Sequence, residues 1–320
     1  MKKNTFLEMM GIEYPIIVAP MFLISNTAMV LAALESGATA VLPALNYRTD
    51  TELKAAILEI RSKSDKPFGV NLIVNKSNLR YKSQLQTLCA AKVGFVITSL
   101  GSPEEVIKAC KPLGIKVFCD VVNLEYALKV EALGADAIIA VNSSAGGHCG
   151  PLPKEKLIPQ LVAQCHIPVI SAGGIGCGKH IREAFELGAQ AVSVGTIFIA
   201  SAEAPVSDAY KQALISYGAK DIVLTSKLSG TYLTVINTPY VQQIGTKAGF
   251  LERMLHKNKW LKKYIKMLMA IRGMKKFEKA AFSATYKTVW CAGPSIEYIH
   301  EIRPLNKILL ELVDEWKSGI

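Results

Sequence analysis

Between residues 16 and 200 the chain alternates short apolar runs with longer amphipathic ones. The short runs are rich in β-branched residues and indicate buried strands, whereas apolar positions in the longer runs recur at helical spacing. Eight strand candidates begin at Ile16, Thr39, Phe68, Val93, Lys116, Asp136, Ile167 and Ala191. A helix candidate follows most of these strands, and such a series predicts parallel strands joined by crossover helices.

The helix candidates carry the starts and stops that helices need. Pro103 stands in the first turn of "SPEEVIKACKPLG", where its missing N–H has no partner to lose. Gly37, Gly114, Gly134 and Gly188 each follow the last apolar position of a helix candidate, where the chain has to turn with positive φ. These stops leave only short loops before the next strand.

Eight successive units predict a TIM (β/α)8 barrel over residues 1–200. The alternative is a doubly wound open sheet, which the same alternation allows. An open sheet of the dinucleotide-binding kind has phosphate-binding glycines after its first strand, and "APMFLISN" contains no GxGxxG. We therefore expect the barrel, with ligand-binding groups on the loops that follow its strands.

The repeat is lost after residue 200, and we expect residues 201–320 to form an appended, mostly helical C-terminal cap. Within it, "DIVLTSKLSGTYLTVINTP" predicts two short β segments, and residues 248–285 predict a strongly basic helix. The final stretch, "SIEYIHEIRPLNKILLELVDEWKSG", has the apolar stripe of an amphipathic helix. We expect this terminal helix to pack back onto the barrel.

Composition restricts the class of protein. Hydrophobic residues make up 50% of the 320 residues and charged residues 20%, which indicates a globular chain with a sizeable core. The seven cysteines form no CxxC pair and no Cys/His cluster at zinc spacing, so we expect free thiols, no metal site and a cytoplasmic protein. Glu8, Glu13 and Pro15 interrupt the apolar stretch near the N-terminus, which argues against an export signal.

The formal net charge of +11 is concentrated in one segment, because residues 247–287 hold twelve Lys and Arg against two acids. No reader motif with stacking aromatic residues accompanies this charge, so we expect no nucleic-acid partner. One hypothesis is a solvated lid helix whose apolar face lies on the barrel. The others are attraction of an anionic partner, such as NAD(P)H or an acidic acyl carrier protein, and docking on an anionic membrane surface.

Two short motifs close strands seven and eight of the predicted barrel. Gly173 and Gly174 end the seventh strand, and Gly195 and Thr196 end the eighth. The loops at these positions are the recurrent phosphate site of such barrels, and a helix beginning near His180 would add partial positive charge. The pattern predicts a phosphate site that includes His180 as a further contact. Tight turns between strand and helix are the alternative.

The stretch "AVNSSAGGHCG", from Ala140, follows the sixth strand. Its glycines allow the backbone to approach a ligand, and His148 carries an imidazole that titrates near neutral pH and can move a proton. The alternative is a histidine that only orders its loop. Asp120 and Asn142 end strands five and six at the same mouth, where they either contact a substrate or line the mouth and order its loops.

In chain order, "APM", "GVNL", "SSAGGHCG", "SAGGI" and "VGT" resemble the nitronate monooxygenase family, which also contains flavin-dependent enoyl-ACP reductases and NADH:quinone reductases. The resemblance spans about residues 14–205 and implies a barrel that binds FMN at the carboxyl ends of its strands. It implies contacts to FMN from Ala19, Pro20, Met21, Asn71, Ala145, Gly146, Gly147, Gly173, Gly174, Gly195 and Thr196. The Asn71 amide needs both donors and acceptors, which either a flavin or the loop backbone can supply.

The resemblance also implies an FMN-dependent oxidoreductase with a small-molecule substrate and with His148 as its catalytic residue. The leading hypothesis is a nitronate monooxygenase that oxidises alkyl nitronates with O₂ to carbonyl compounds and nitrite. The alternatives are an NAD(P)H-dependent reductase of enoyl thioesters or quinones, and a non-catalytic flavin-binding or phosphate-binding barrel recruited to a membrane or partner by its basic helix. Pro294 stands where the family often has Gln, so any contact of that amide is lost. A monomer and a homodimer are both open.

Overall fold

The computed structural model describes residues 4–75, 78–225, 233–246 and 289–319. Eight parallel strands form a closed barrel in which each strand pairs with the next one and the last pairs with the first. They are β1 (Ile16–Val18), β2 (Thr39–Pro43), β3 (Gly69–Ile73), β4 (Phe95–Ser99), β5 (Lys116–Val121), β6 (Ala137–Val141), β8 (Val169–Ala172) and β9 (Ala191–Val194). The predicted TIM barrel is thereby confirmed.

Helices cover the outside of the barrel, and most of them follow one strand each. The described ranges contain α1 (Thr5–Met10), α2 (Thr27–Glu35), α3 (Asp50–Arg61), α4 (Tyr81–Ala90), α5 (Glu104–Cys110), α6 (Leu124–Ala132), α7 (Lys154–Gln164), α8 (Gly178–Glu186), α9 (Thr196–Ile199), α10 (Asp208–Ser216), α11 (Pro239–Ile244) and α12 (Leu305–Ser318). The four glycines predicted to stop helices, Gly37, Gly114, Gly134 and Gly188, all have positive φ, between +73° and +101°.

Aromatic side chains fill the amino-terminal end of the barrel. The rings of Phe95 and Phe118, on neighbouring strands, stack with their centroids 4.7 Å apart, and Phe6 from α1 lies 5.9 Å from Phe118. All three side chains are fully buried. The short helix α1 therefore closes this end, and the opposite end of the barrel is left for a site.

The terminal helix α12 lies against α2 and α8, in the position that the eighth helix of the barrel takes. Gly178 allows this approach, because a Cβ there would lie 2.2 Å from the backbone nitrogen of Trp316. The amino end of α12 is held by Glu203, whose carboxylate accepts a hydrogen bond from Leu305 N at 2.9 Å. The chain between α9 and α12 is thus an insertion before the eighth helix rather than an appendage after a complete barrel.

The insertion contributes a small antiparallel sheet. Its strands β10 (Ile222–Thr225) and β11 (Leu233–Ile236) are the two β segments that the sequence predicts, and they pair with each other. The third strand is β7 (Gly147–His148), a two-residue strand in the loop after β6 that the sequence analysis did not predict. The inserted sheet therefore reaches the mouth of the barrel.

The predicted basic helix over residues 248–285 lies outside the described residues. In the ranges that are described, none of the helices combines the length and the apolar character needed to cross a bilayer.

Candidate active site

His148 is held at the mouth by pairing with the inserted sheet. Leu233 pairs with His148 and Thr234 with Gly147. The buried Thr234 hydroxyl donates hydrogen bonds to the carbonyl oxygens of Ala145, at 2.5 Å, and Gly147, at 3.3 Å. The sequence analysis missed Thr234, because a strand pattern does not disclose which distant loop the strand will pair with. The loop with His148 is therefore a clamped strand and not a free turn.

The His148 residue is exposed, although protein atoms surround its imidazole on several sides. This partial desolvation lowers the pKa of its imidazole below the ordinary value. No hydrogen bond holds the ring among the residues that the structure describes. At neutral pH the imidazole is consequently neutral, and its nitrogen atoms are left to accept or donate a proton.

Two glycines allow the C-terminal segment to cross the His148 loop. A Cβ on Gly146 would lie 2.8 Å from Thr196 Oγ1 and 2.9 Å from Gly293 N. The Thr196 hydroxyl already accepts a hydrogen bond from Gly293 N at 3.0 Å. The predicted phosphate residue Thr196 therefore uses its side chain to hold this crossing.

Asn142 is completely buried and orders the loop, as one of the two sequence hypotheses has it. Its Nδ2 donates to Gly173 O at 3.0 Å, and its Oδ1 accepts from Ser144 N at 2.8 Å. Gly173 itself, with φ of +114°, lies so close that a Cβ would be 2.5 Å from Ala145 N. Both ends of the Asn142 amide are bonded to loop backbone, which favours the loop-ordering hypothesis, and a substrate contact from Asn142 stays a prediction.

A cleft of about 300 Å³ opens beside the two glycines that end β8. Its lining combines backbone, hydroxyl groups and charged side chains, from Ser144, Lys154, Glu155, Gly173, Gly174, His180, Ala219, Pro294, Ser295, Glu297 and Tyr298. Lys154 is only 15% exposed and pairs with Glu183 at 2.5 Å. The predicted phosphate residues Gly173 and Gly174 therefore line the same cleft as Lys154, which the sequence analysis did not single out.

One N–H group at the amino end of α8 is already engaged by another part of the chain. The Gly178 N–H donates to Glu315 Oε2 at 2.6 Å, so a carboxylate from α12 occupies the end of the helix. His180 accepts a hydrogen bond from Gly176 N on Nδ1 at 3.1 Å, and its Nε2 lies 3.4 Å from Tyr298 Oη. Burial and then Lys154 lower the pKa of His180. His180 thus orders its loop while also lining the cleft.

The loop after β1 lies beside the end of β9. Ala19 N donates to Val194 O at 2.8 Å, and Ser25 Oγ bridges the turn by accepting from Met21 N and donating to Ala19 O. A Cβ on Gly195 would have Ala19 Cβ and Met21 Sδ as neighbours, at 3.6 and 3.7 Å. The structure thus brings the predicted Ala19–Met21 stretch, with Pro20, together with Gly195. Ser25, which fixes this turn, was missed.

Three polar side chains meet inside the barrel at the carboxyl ends of β3, β4 and β5. Asn71 Nδ2 donates to Ser99 Oγ at 2.7 Å, and Ser99 Oγ donates to Asp120 Oδ2 at 2.5 Å. Burial raises the pKa of the Asp120 carboxyl to about 6, although the hydrogen bond from Ser99 opposes the rise. The sequence analysis named Asn71 and Asp120 separately, and it missed the serine that joins them.

Comparison with known proteins agrees with this geometry. A model of the nitronate monooxygenase family matches residues 3–315. The chain belongs to the nitronate monooxygenase family. The resemblance noted in the sequence is thereby confirmed, and the protein is an enzyme of this family of flavin-dependent oxidoreductases.

Individual relatives within this family carry different names. The chain is 31% identical to a nitronate monooxygenase of Pseudomonas aeruginosa, over 71% of this chain and 78% of that protein. It is 29% identical to an octahydroindene carboxyl-CoA dehydrogenase of Rhodococcus jostii, over 76% of this chain and 68% of the relative. The solved structure of FabK from Thermotoga maritima matches with a TM-score of 0.86 at 29% identity and covers 100% of this chain and 97% of its own.

Proposed function

We propose that this protein binds FMN and oxidises alkyl nitronates with O₂ to carbonyl compounds and nitrite. The observation that carries the proposal is His148, a neutral imidazole on a strand that a second segment of the chain clamps at the barrel mouth. The family match and the nitronate monooxygenase names of several relatives support the choice of substrate.

The residues at the mouth fit an FMN molecule. Gly173 and Gly174 border a cleft that also contains Lys154, and a phosphate suits backbone N–H groups beside an ammonium. Ala19–Met21 and Gly195 would line the ring, since the open side of Gly195 meets no atom closer than 3.6 Å from a built Cβ. Asn71 would hydrogen-bond the flavin with the group that its protein partners leave unused. When bound, FMN would accept the electrons of the substrate and pass them to O₂.

The role of His148 follows from its protonation state. Because its pKa is lowered, the neutral ring can accept a proton from the carbon of a neutral nitroalkane. Towards a nitronate, which has already lost that proton, the ring N–H can donate a hydrogen bond to a nitro oxygen. Thr234 and the β7–β11 pairing keep the ring in place during either event.

A second candidate is reduction of an enoyl thioester with NAD(P)H, in which His148 would protonate the carbon that becomes saturated. It is favoured by relatives in Rhodococcus jostii and Mycobacterium tuberculosis, 29% and 30% identical, whose names give a carboxyl-CoA compound as substrate. In this case residues 248–285, with their excess of positive charge, would attract NAD(P)H, the thioester carrier or an anionic membrane surface.

The visible spectrum of the purified protein, followed anaerobically, separates the two candidates. Propyl nitronate should bleach the flavin absorbance under the first proposal, whereas NADH or NADPH should do so under the second and an enoyl-CoA should then restore it. A protein that neither carries FMN nor takes it up would contradict both.

The variant His148→Ala should lose about 10²- to 10⁴-fold in turnover, the usual contribution of proton transfer, and should keep its flavin. His166→Ala is the matched control, because the His166 side chain is 93% exposed on the outer surface. Undiminished turnover in His148→Ala would remove the central assignment.

A further inference from the structure

The chain of hydrogen bonds from Asn71 through Ser99 to Asp120 has a fixed direction. Asn71 Nδ2 donates to Ile97 O at 3.3 Å as well as to Ser99 Oγ. A carbonyl oxygen can only accept, so the amide group facing Ile97 must be the NH₂ end. The single hydroxyl hydrogen of Ser99 is left for Asp120.

The direction of these hydrogen bonds determines whether the Asn71 amide can donate a hydrogen bond to a ligand or accept one from it. Both hydrogens of its NH₂ group are used by the barrel, and among the described residues none donates to its Oδ1. Asn71 is therefore set as a hydrogen-bond acceptor at the mouth. If Ser99 lost its bond to Asp120, the hydroxyl could turn and donate to the Asn71 amide oxygen, and the orientation would no longer be fixed.

Asp120 is the acid that changes charge in this part of the barrel. The register places it beside Ile139 of β6, which is apolar, and its partner on β4 is the uncharged Ser99. Among the described residues, the other titratable neighbours are Cys119 and Tyr126, and burial raises the pKa of both, to about 12 for Cys119. His148, on the next loop of the same mouth, has a lowered pKa.

We propose that Asp120 is a positioning residue of the flavin site, which acts through Ser99 to hold Asn71 as an acceptor and takes up a proton when the flavin binds. The inference rests on the FMN part of the proposed function. Asp120 is partly exposed and lies near the carboxyl end of β5, the end that faces the mouth. A flavin ring above it would remove that exposure, and desolvation of a carboxylate favours the protonated form.

Proton uptake on binding makes the affinity for flavin depend on pH. Where Asp120 is ionised in the free protein and protonated in the complex, the affinity falls by up to about tenfold for each unit that the pH rises. Riboflavin is the suitable probe, because it has the ring of FMN but not the phosphate, whose own second ionisation lies near pH 6.

The test is a titration of the purified apoprotein with riboflavin, followed by quenching of flavin fluorescence at several values between pH 5.5 and 8. The wild type should bind more weakly as the pH rises, and Asp120→Asn should bind with nearly the same affinity throughout. Ser99→Ala should bind more weakly at every pH but keep the slope, because Asp120 still titrates. Asp314→Asn, an exposed carboxylate on α12, is the matched control and should follow the wild type.

Calorimetry in two buffers of different ionisation enthalpy measures the proton uptake directly. The wild type should take up a fraction of a proton on binding near pH 7, and Asp120→Asn should not. Equal pH slopes for the wild type and Asp120→Asn would overturn the inference while leaving the proposed function intact. Failure of the wild type to bind either FMN or riboflavin would instead overturn the proposed function. Circular dichroism of each variant verifies that it is folded.

Discussion

The two ends of the barrel interior are built from the same strand faces but from opposite kinds of residue. On β4 the inward positions run from Phe95 to Ser99, and on β5 from Phe118 to Asp120. The aromatic end is closed by α1 and stabilises the barrel. The polar end contains a carboxyl whose pKa burial has raised to about 6, which is an unfavourable place for a charge. The aromatic side chains that stabilise the barrel and the polar side chains of the candidate site are thus about 7 to 14 Å apart along the strands.

Loss of an aromatic ring at the closed end should have the largest effect on stability. Phe118→Ala removes a fully buried ring that contacts both Phe95 and Phe6, and should lower the free energy of unfolding by about 3 to 5 kcal/mol. Urea denaturation measures the change. Leu79→Ala, at a side chain that is 90% exposed, should leave the stability within error. Similar losses in both variants would mean that the aromatic end does not carry the stability.

A change at the polar end should act in the opposite direction. In the folded state burial raises the pKa of Asp120 from 3.8 to about 6, so the folded protein binds this proton more tightly than the unfolded chain does. Above pH 6, where the carboxyl is ionised in both states, its burial therefore lowers the free energy of unfolding. Asp120→Asn should therefore raise the free energy of unfolding at pH 7.5 by up to about 3 kcal/mol, at about 1.4 kcal/mol per pKa unit.

The gain should shrink as the pH falls below 6 and vanish only below about pH 3, where Asp120 is protonated in both the folded and the unfolded state. Thermal melts of the apoprotein at pH 7.5 and pH 4.5 test this sign. A variant that is less stable than the wild type at pH 7.5 would show that the charge of Asp120 stabilises the barrel, which contradicts the contrast between the two ends.

The smallest expected effect concerns the clamp on the His148 loop. Thr234→Val keeps the shape of the side chain but removes the hydroxyl that bonds Ala145 O and Gly147 O, which should cost about 1 kcal/mol of stability. Turnover should fall more than stability does, since β7 carries His148. Thr234→Ser retains the hydroxyl and is the control. Equal turnover in the valine and serine variants would mean that the hydrogen bonds do not position the imidazole.

Much of the barrel could be predicted from the sequence because its signals are local. All eight predicted strand starts fall within two residues of the observed ones, and the glycines at helix ends have the expected positive φ. The position of His148 after the sixth barrel strand also follows from local pattern. Residues such as Asn71 and Asp120 could be placed at the mouth, because alternate residues at the end of a parallel strand face the interior.

The contacts that join distant segments could not be predicted in this way. Thr234 bonds a residue 89 positions away, and Gly178 N bonds Glu315 at a separation of 137. The hydrophobic periodicity of a segment predicts its own secondary structure but not which distant residue it will contact, so neither hydrogen bond could be predicted. The expectation that the α8 terminus serves a phosphate stays a prediction, and the sequence could not show that a carboxylate from α12 engages the Gly178 N–H there.

The sequence by itself determined the repeating units, the barrel and the small set of loops where chemistry is possible. It did so because hydrophobic period, helix stops and turn residues act over a few neighbouring positions. Only the tertiary structure decided that α12 completes the barrel, that the inserted sheet clamps His148, and that Ser99 joins Asn71 to Asp120. These depend on which surfaces meet after folding, and on the burial that gives an ordinary aspartate a pKa of about 6.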